Sequence, residues 1–141
     1  MKDIIKKILK EYAEEQKKVL TIPSLTYFNN DWDLLQKFLE SKGNPKWKIM
    51  DDLDLENTSI EFLGNLTSVG GDLDLTNTPI KSLGNLQSVG GYLDLYGVPI
   101  QSLGNLTSVG GDLDLENTPI SEKYTEEEIR QIVKVEGKVY L

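Results

Sequence analysis

The sequence predicts an α/β solenoid of short parallel strands, with a helical N-terminal cap and a C-terminal cap made of a helix and a strand. Three observations carry that prediction. Leu53, Leu73, Leu93 and Leu113 fall 20 residues apart, and each opens a Leu-Asp-Leu step. Around them one unit, L-x-L-x-x-T-x-I-x-x-L-x-x-L-x-x-V-G-G-x, returns nearly unchanged, as in Leu73, Leu75, Thr78, Ile80, Leu83, Leu86, Val89, Gly90 and Gly91. The segments on either side show helical periodicity instead of the repeat. A period this short implies stacked units, each covering the apolar face of its neighbour. With 141 residues the chain makes one structural domain, divided into a cap over 1–48, repeats over 49–120 and a second cap over 121–141.

The elements follow in order. Ile4, Ile5, Ile8, Leu9 and Tyr12 form a one-sided stripe on a first helix, with Lys2, Lys6, Lys10 and Lys17 largely opposite, and the stripe is expected to cover the open face of the first repeat. A second helix is predicted over about 30–41, capped by Asn29 or Asn30, with Trp32, Leu35, Phe38 and Leu39 inward. Six of the eleven aromatic residues precede residue 50, which points to an aromatic cap core. Within each repeat the Leu-x-Leu pair has the two-residue period of a strand. The Ile-x-x-Leu-x-x-Leu-x-x-Val that follows suits a tight helical or 3₁₀-like return. One strand and one arc per unit are therefore expected. Paired glycines (Gly70-Gly71, Gly90-Gly91, Gly110-Gly111) precede the strand, at a bend that calls for positive φ, and Gly64, Gly84 and Gly104 serve the other bend. At the C-terminal end Thr125 to Glu128 fits a capping box, and Ile129, Ile132 and Val133 give the next helix an apolar face. Gly137 to Leu141 then repeats the outline of Gly111 to Leu115, which predicts a fifth strand at a sheet edge.

The unit resembles the leucine-rich repeat, whose strand segment L-x-x-L-x-L-x-x-N-x-L is matched by Val69, Leu73, Leu75, Thr78 and Ile80. Two features depart from it: a longer step from Val69 to Leu73, and threonine (Thr58, Thr78, Thr118) where the family places asparagine. The resemblance implies that this threonine column, interrupted by Val98, satisfies backbone groups between units. It also implies that partners bind on the strand side. The 20-residue period and the Gly-Asn-Leu and Thr-Pro-Ile wording are similar to those of small leucine-rich-repeat proteins of bacteria and bacteriophages.

Composition excludes much chemistry. There is no cysteine and no histidine, so disulfides, thiolate metal sites and the commonest general base are absent. No segment has the apolar run of a signal peptide or of a membrane span. A cytoplasmic protein is expected, in the host cytoplasm if phage-encoded, and the Asn-Leu-Thr sequons at Asn65 and Asn105 are by-products of the repeat. The net charge of -8 is unevenly spread. Residues 1–52 hold ten bases and nine acids, and residues 121–141 hold four and five. Residues 53–120 hold nine acids and the single base Lys81, so the repeats carry the whole imbalance.

If Leu53 and Leu55 face the core, three outward columns follow from strand alternation. They are Asp52/Asp72/Tyr92/Asp112/Lys138, Asp54/Asp74/Asp94/Asp114/Tyr140 and Glu56/Thr76/Tyr96/Glu116. Four aspartates thus share a column at the ~4.8 Å strand spacing. Like charges at that distance repel by roughly 0.9 kcal/mol per pair in bulk water. The third unit is the exception, with Tyr92, Tyr96 and Gly97 where its neighbours place Asp72 or Asp112, Thr76 or Glu116, and Asn77 or Asn117.

These columns are equally the solvated face of a soluble strand. As a functional surface they predict a non-catalytic module that binds a basic protein surface. Tyr92, Asp94 and Tyr96 lie at its centre, flanked by Asp54, Asp74, Asp114, Asp72, Asp112 and Tyr140. The first alternative is calcium on the aspartate ladder, although no calcium-loop motif is present. Others are a phage-type inhibitor that imitates nucleic-acid charge, and self-association as a weak homodimer through the strand at Lys138 to Leu141. Four equivalent carboxylates on a shallow face do not give an enzyme its distinct acid and nucleophile, so no catalytic residue and no cofactor is expected. Nucleic acid and membrane are not expected partners of so acidic a surface.

Overall fold

The computed structural model describes residues 2–141, the side chains of residues 15–17 excepted. It is α/β, with two wholly parallel sheets of short strands and a few helices. Helix α1 (Lys2–Lys17) leads into β1 (Leu20–Ile22), a 3₁₀ turn over Leu25–Phe28, and α2 (Trp32–Ser41). Strands β2 (Trp47–Ile49), β3 (Leu53–Asp54), β4 (Leu66–Val69), β5 (Leu73–Asp74), β6 (Ser88–Val89), β7 (Leu93–Asp94), β8 (Ser108–Val109) and β9 (Leu113–Asp114) then follow. Helices α3 (Pro119–Lys123) and α4 (Glu126–Ile132) and strands β10 (Lys134–Val135) and β11 (Val139–Tyr140) complete the described chain.

Each repeat contributes two strands, not the one expected. The four Leu-Asp steps and Val139–Tyr140 build a five-stranded sheet in the order β11-β9-β7-β5-β3, while the three Ser-Val steps, with β1, β2 and β10 from the caps, build a six-stranded sheet in the order β1-β2-β4-β6-β8-β10. The sequence pattern hides the second strand because it is two to four residues long, too short for alternation to show. The return between Ile80 and Leu86 contains no helix; its apolar residues are held by turns, with Leu86 N–H donating to the Leu83 carbonyl at 3.1 Å. Spacing by three does not distinguish a 3₁₀ turn from an irregular arc that points every third side chain inward.

The 20-residue step governs the pairing. Leu73 pairs with Leu53 and Leu93, and Ser88 with Ser68 and Ser108, so equivalent residues of successive repeats stand side by side. Leucines, isoleucines and valines at repeat positions form one continuous core, with Leu73, Leu75, Ile80, Leu83 and Leu86 fully buried. The glycine pairs serve a different need from the one expected. Their φ angles are not positive; a Cβ on Gly90 would instead run into the carbonyl of Gly70, and one on Gly110 into that of Gly90. Gly84 and Gly104 do take positive φ, both 58°.

Thr58, Thr78 and Thr118 also act differently from expectation. Each hydroxyl donates to a carbonyl three residues back in its own repeat, Leu55, Leu75 and Leu115 at 2.6–2.8 Å, not to a neighbouring unit. In the third repeat the Val98 N–H alone reaches the Leu95 carbonyl, at 3.0 Å.

The ends divide between expectation and surprise. Leu35 and Leu39 of α2 are buried, Trp32 stacks near Trp47 (5.8 Å) and Phe28 near Phe38 (5.3 Å). The cap of α2 is Asp31, whose carboxylate accepts from Asp33 and Leu34 N–H; Asn29 and Asn30 hold left-handed conformations before it. The Thr125 capping box forms with Glu128, and Ile129 and Val133 are buried, but Ile132 is exposed. The largest departure is α1. Ile4, Ile5, Ile8, Leu9 and Tyr12 do not cover the first repeat: all five are more than half exposed. The apolar residues that join the core at this end are Leu25 of the 3₁₀ turn and Leu35 and Leu39 of α2, with Phe28, Trp32 and Phe38 packed against it. Among the described residues, no helix is long and apolar enough to cross a membrane.

Candidate binding face on the five-stranded sheet

The predicted aspartate column forms as read. Asp54, Asp74, Asp94, Asp114 and Tyr140 stand in successive register on β3, β5, β7, β9 and β11. The leucines alternate inward and these side chains outward, Asp54 and Tyr140 exposed and Asp74, Asp94 and Asp114 half-buried.

Geometry gives these carboxylates a backbone role that sequence reasoning missed. Oδ1 of Asp54, Asp74, Asp94 and Asp114 accepts the N–H two residues on, of Glu56, Thr76, Tyr96 and Glu116, at 2.9–3.1 Å. These are Asx turns that end each strand. The other column works across repeats. Asp52 Oδ1 accepts the Asp72 N–H at 2.8 Å, Asp72 that of Tyr92 at 2.9 Å, and Asp112 that of Lys138 at 2.8 Å. Each of these bonds adds on the order of 1 kcal/mol and fixes the turn in which it lies, so each aspartate is a structural part of the stack. The signal was present in the sequence: Asp recurs directly after Gly-Gly and again two residues later, both turn-forming contexts.

The third repeat departs from this scheme in two ways. Tyr92 provides no carboxylate, so no such bond reaches the Asp112 N–H. Gly97, by contrast, is explained by the backbone. Asn57, Asn77 and Asn117 sit at φ 57°, 56° and 60°, and Gly97 takes the same left-handed place at 71°. Asparagine and glycine are the residues that tolerate it. Tyr92 and Tyr96 flank Asp94 on one face and are 42% and 41% exposed, each half-packed and half available.

From Asp52 to Glu116 the outward columns carry acids and no base, and Lys138 stands at their C-terminal end. Glu56 is held above the usual carboxylate range, first by a hydrogen bond with the Asp74 carboxyl, which requires a proton on one of the pair, and then by the charges of Asp74, Asp54 and Asp94. Burial raises Asp114, partly offset by its bond to the Glu116 N–H, with the Asp94 and Glu116 charges adding to the rise. Partial burial raises the Tyr92 phenol, reinforced by Asp74, Asp72, Asp54 and Asp94. The ion pairs among the described residues, Arg130 with Glu126 and Lys134 with Glu136, lie elsewhere. Carboxylate oxygens of Asp54, Glu56 and Asp74 come within 4.8 Å of one another, the tightest acidic group on the face.

The six-stranded sheet presents a second surface that the sequence did not announce. An open groove of about 530 Å³ runs along it over Ser68, Ser88 and Ser108, with Lys48 and Lys134 at its ends. Comparison with protein-family models, curated proteins and solved structures returns no match to this chain.

Two outcomes test the double role of the aspartates. Asp74→Asn keeps an oxygen acceptor and removes one charge, so its urea midpoint is expected to equal or exceed that of the parent. Asp74→Ala removes the acceptor and is expected to lose about 1 kcal/mol. The second concerns pH. Glu56 and Asp114 have folded pKa values above the ordinary 4.5 and 3.8, so the folded state holds protons that the unfolded chain has released. Their ionisation therefore opposes folding: stability is higher below those ordinary values and is lost as pH rises through the folded ones. Urea midpoints are expected to fall as pH rises through the range just above 4.5, and the slope to flatten in Glu56→Gln with Asp114→Asn.

Proposed function

We propose that this chain is a small non-catalytic repeat protein, a solenoid of the leucine-rich-repeat kind, that binds a partner with a basic surface on the outward face of its five-stranded sheet. The observation that carries this proposal is the uncompensated acidic face with two half-exposed tyrosines at its middle. Backbone bonds to Oδ1 leave the second carboxylate oxygen of Asp94 and Asp114 without a protein donor among the described residues. A row of such oxygens steers a cationic surface toward the sheet and sets its register. Tyr92 and Tyr96 add large apolar area with a polar tip and little entropy to lose, as at the centre of protein interfaces. Asp72, Asp112 and Tyr140 extend the patch.

A second reading rests on the Asp54, Glu56 and Asp74 cluster, whose oxygens lie close enough to share a divalent cation. Calcium needs six to eight oxygens, so water or a partner would complete the shell. Titration calorimetry with calcium decides it: heat and a thermal upshift, both lost in Glu56→Gln, would support a cation site, and neither is expected if the face serves a basic protein.

The primary proposal is tested by a quantitative pull-down from bacterial lysate at low and moderate salt. The bait is compared with a variant carrying Tyr92→Ala, Asp94→Asn and Tyr96→Ala, in which the Asx turn at residue 94 is retained. A protein held by the parent alone and released by salt is the expected result; one that itself binds nucleic acid would mean the face imitates phosphate charge. Identical captures by both baits would end the proposal.

A further inference from the structure

The six-stranded sheet carries a hydrogen-bond ladder from one end to the other, and both ends of that ladder are closed. At each step the N–H of the residue that follows a strand donates to the last carbonyl of the strand before it. Met50 donates to Ile22, Gly70 to Ile49, and the same bond recurs as far as Glu136 and Val109, at 2.8–3.0 Å. A second row runs beside it, in which Gly91 donates to Gly71, Gly111 to Gly91 and Gly137 to Gly111. At the C-terminal end the next acceptors of these two rows are the carbonyls of Val135 and Gly137. Arg130 takes both: Nη1 donates to Val135 and Nη2 to Gly137, each at 2.8 Å. One guanidinium, whose N–H groups form a rigid planar fork, thus stands in for the two backbone N–H groups of an absent further repeat. At the N-terminal end the residue after β1 is Pro23, in the register place of Met50 and Gly70. Every other residue in that place donates an N–H, and proline has none to give.

We infer that Arg130 and Pro23 are the two stops of the stack, and that the ends they close are a latent interface for a second copy of this chain. Without stops, such a repeat is complementary to itself. Acceptors at the C-terminal end of one copy match donors at the N-terminal end of the next, in the register that already joins successive repeats. That contact is heterologous and does not close, so it would grow into a chain of copies. Open sheet edges carry this hazard in general, and proline and charged side chains are common protections against it. Either stop suffices alone, because the bond needs both its donor and its acceptor. The stops also fix the length of the acidic face, which ends with the stack that carries it. The inference does not rest on the binding proposed for that face.

The test is sedimentation equilibrium of the full chain, across a dilution series, as the parent, Pro23→Ala, Arg130→Met and the double variant. Arg130→Met keeps the aliphatic stem and removes the donors, while Pro23→Ala adds an N–H and removes no bond. The parent and each single variant are expected to be monomers. The double variant is expected to form chains whose length rises with concentration, associating at least about tenfold more tightly than either single variant. An equimolar mixture of the two single variants is expected to give a one-to-one complex that grows no further, because both of its outer ends keep a stop. A double variant that retains the parent's circular dichroism and stays monomeric overturns the inference. So does a parent that forms chains, or a single variant that associates by itself as tightly as the double, which would place the contact at another surface such as the β11 edge. Where Arg130→Met does not fold, Arg130→Lys, which keeps stem and charge but has no planar fork to span both carbonyls, takes its place in the same comparisons with the same outcomes.

Discussion

Backbone hydrogen bonding between repeats stacked at a step of 20 residues is the constraint on which the rest of this structure depends. Gly91 N–H donates to Gly71 and Gly111 to Gly91, while Leu73 and Leu93 donate to carbonyls of the next repeat; Gly137 to Gly111 and Leu113 to Lys138 continue the ladder into the C-terminal cap, where the step lengthens. At the bend between the two sheets, successive repeats approach so closely that a Cβ on Gly90 or Gly110 would collide with the carbonyl of the glycine one repeat back. Glycine there follows from contact distance, not from dihedral angle. The left-handed corner at Asn57, Asn77, Gly97 and Asn117 is the complementary case, where the dihedral angle sets the residue and the Asn77 side chain reaches Asn57 at 3.2 Å.

The acidic face follows from the same constraint. A strand of two residues ends almost as soon as it begins, and each end leaves N–H groups that the sheet does not satisfy. Aspartate supplies the acceptor on both sides of the Leu-x-Leu step, and copying the unit copies the charge. Repulsion down the Asp54 to Asp114 column is thus the electrostatic cost of a solution to a hydrogen-bonding problem. Any use of the face for binding rests on carboxylates already oriented by their turns, so little side-chain entropy remains to be lost on contact. Tyr92 marks where the two roles separate: it gives up the acceptor that Asp52, Asp72 and Asp112 provide and offers a half-exposed ring in its place.

The helices show how competition for one surface decides placement. Both α1 and α2 carry apolar stripes that would suit the end of the stack. Leu35 and Leu39 of α2, with Trp32 and Phe38, pack on the core beside Trp47, and the stripe of α1 stays in solvent. Periodicity identifies each helix as amphipathic but ranks neither for the shared site, because that ranking depends on shape.

The repeat length, the leucine register and the outward columns were legible in the sequence, because each follows from side-chain alternation carried forward by a constant period; the final strand was legible from the outline of Gly111 to Leu115 repeated at Gly137 to Leu141. The capping box at Thr125 was legible for a similar reason: its bonds join residues three apart. What only the tertiary structure decided lies between repeats. The second sheet rests on strands of two to four residues, too short for periodicity of their own, and the glycine pairs are fixed by a neighbour 20 residues away. The exposure of α1 depends on which helix reaches the core. Local patterns fix what a residue is able to do along its own segment; distances between segments, which no single segment encodes, fix which of those abilities is used.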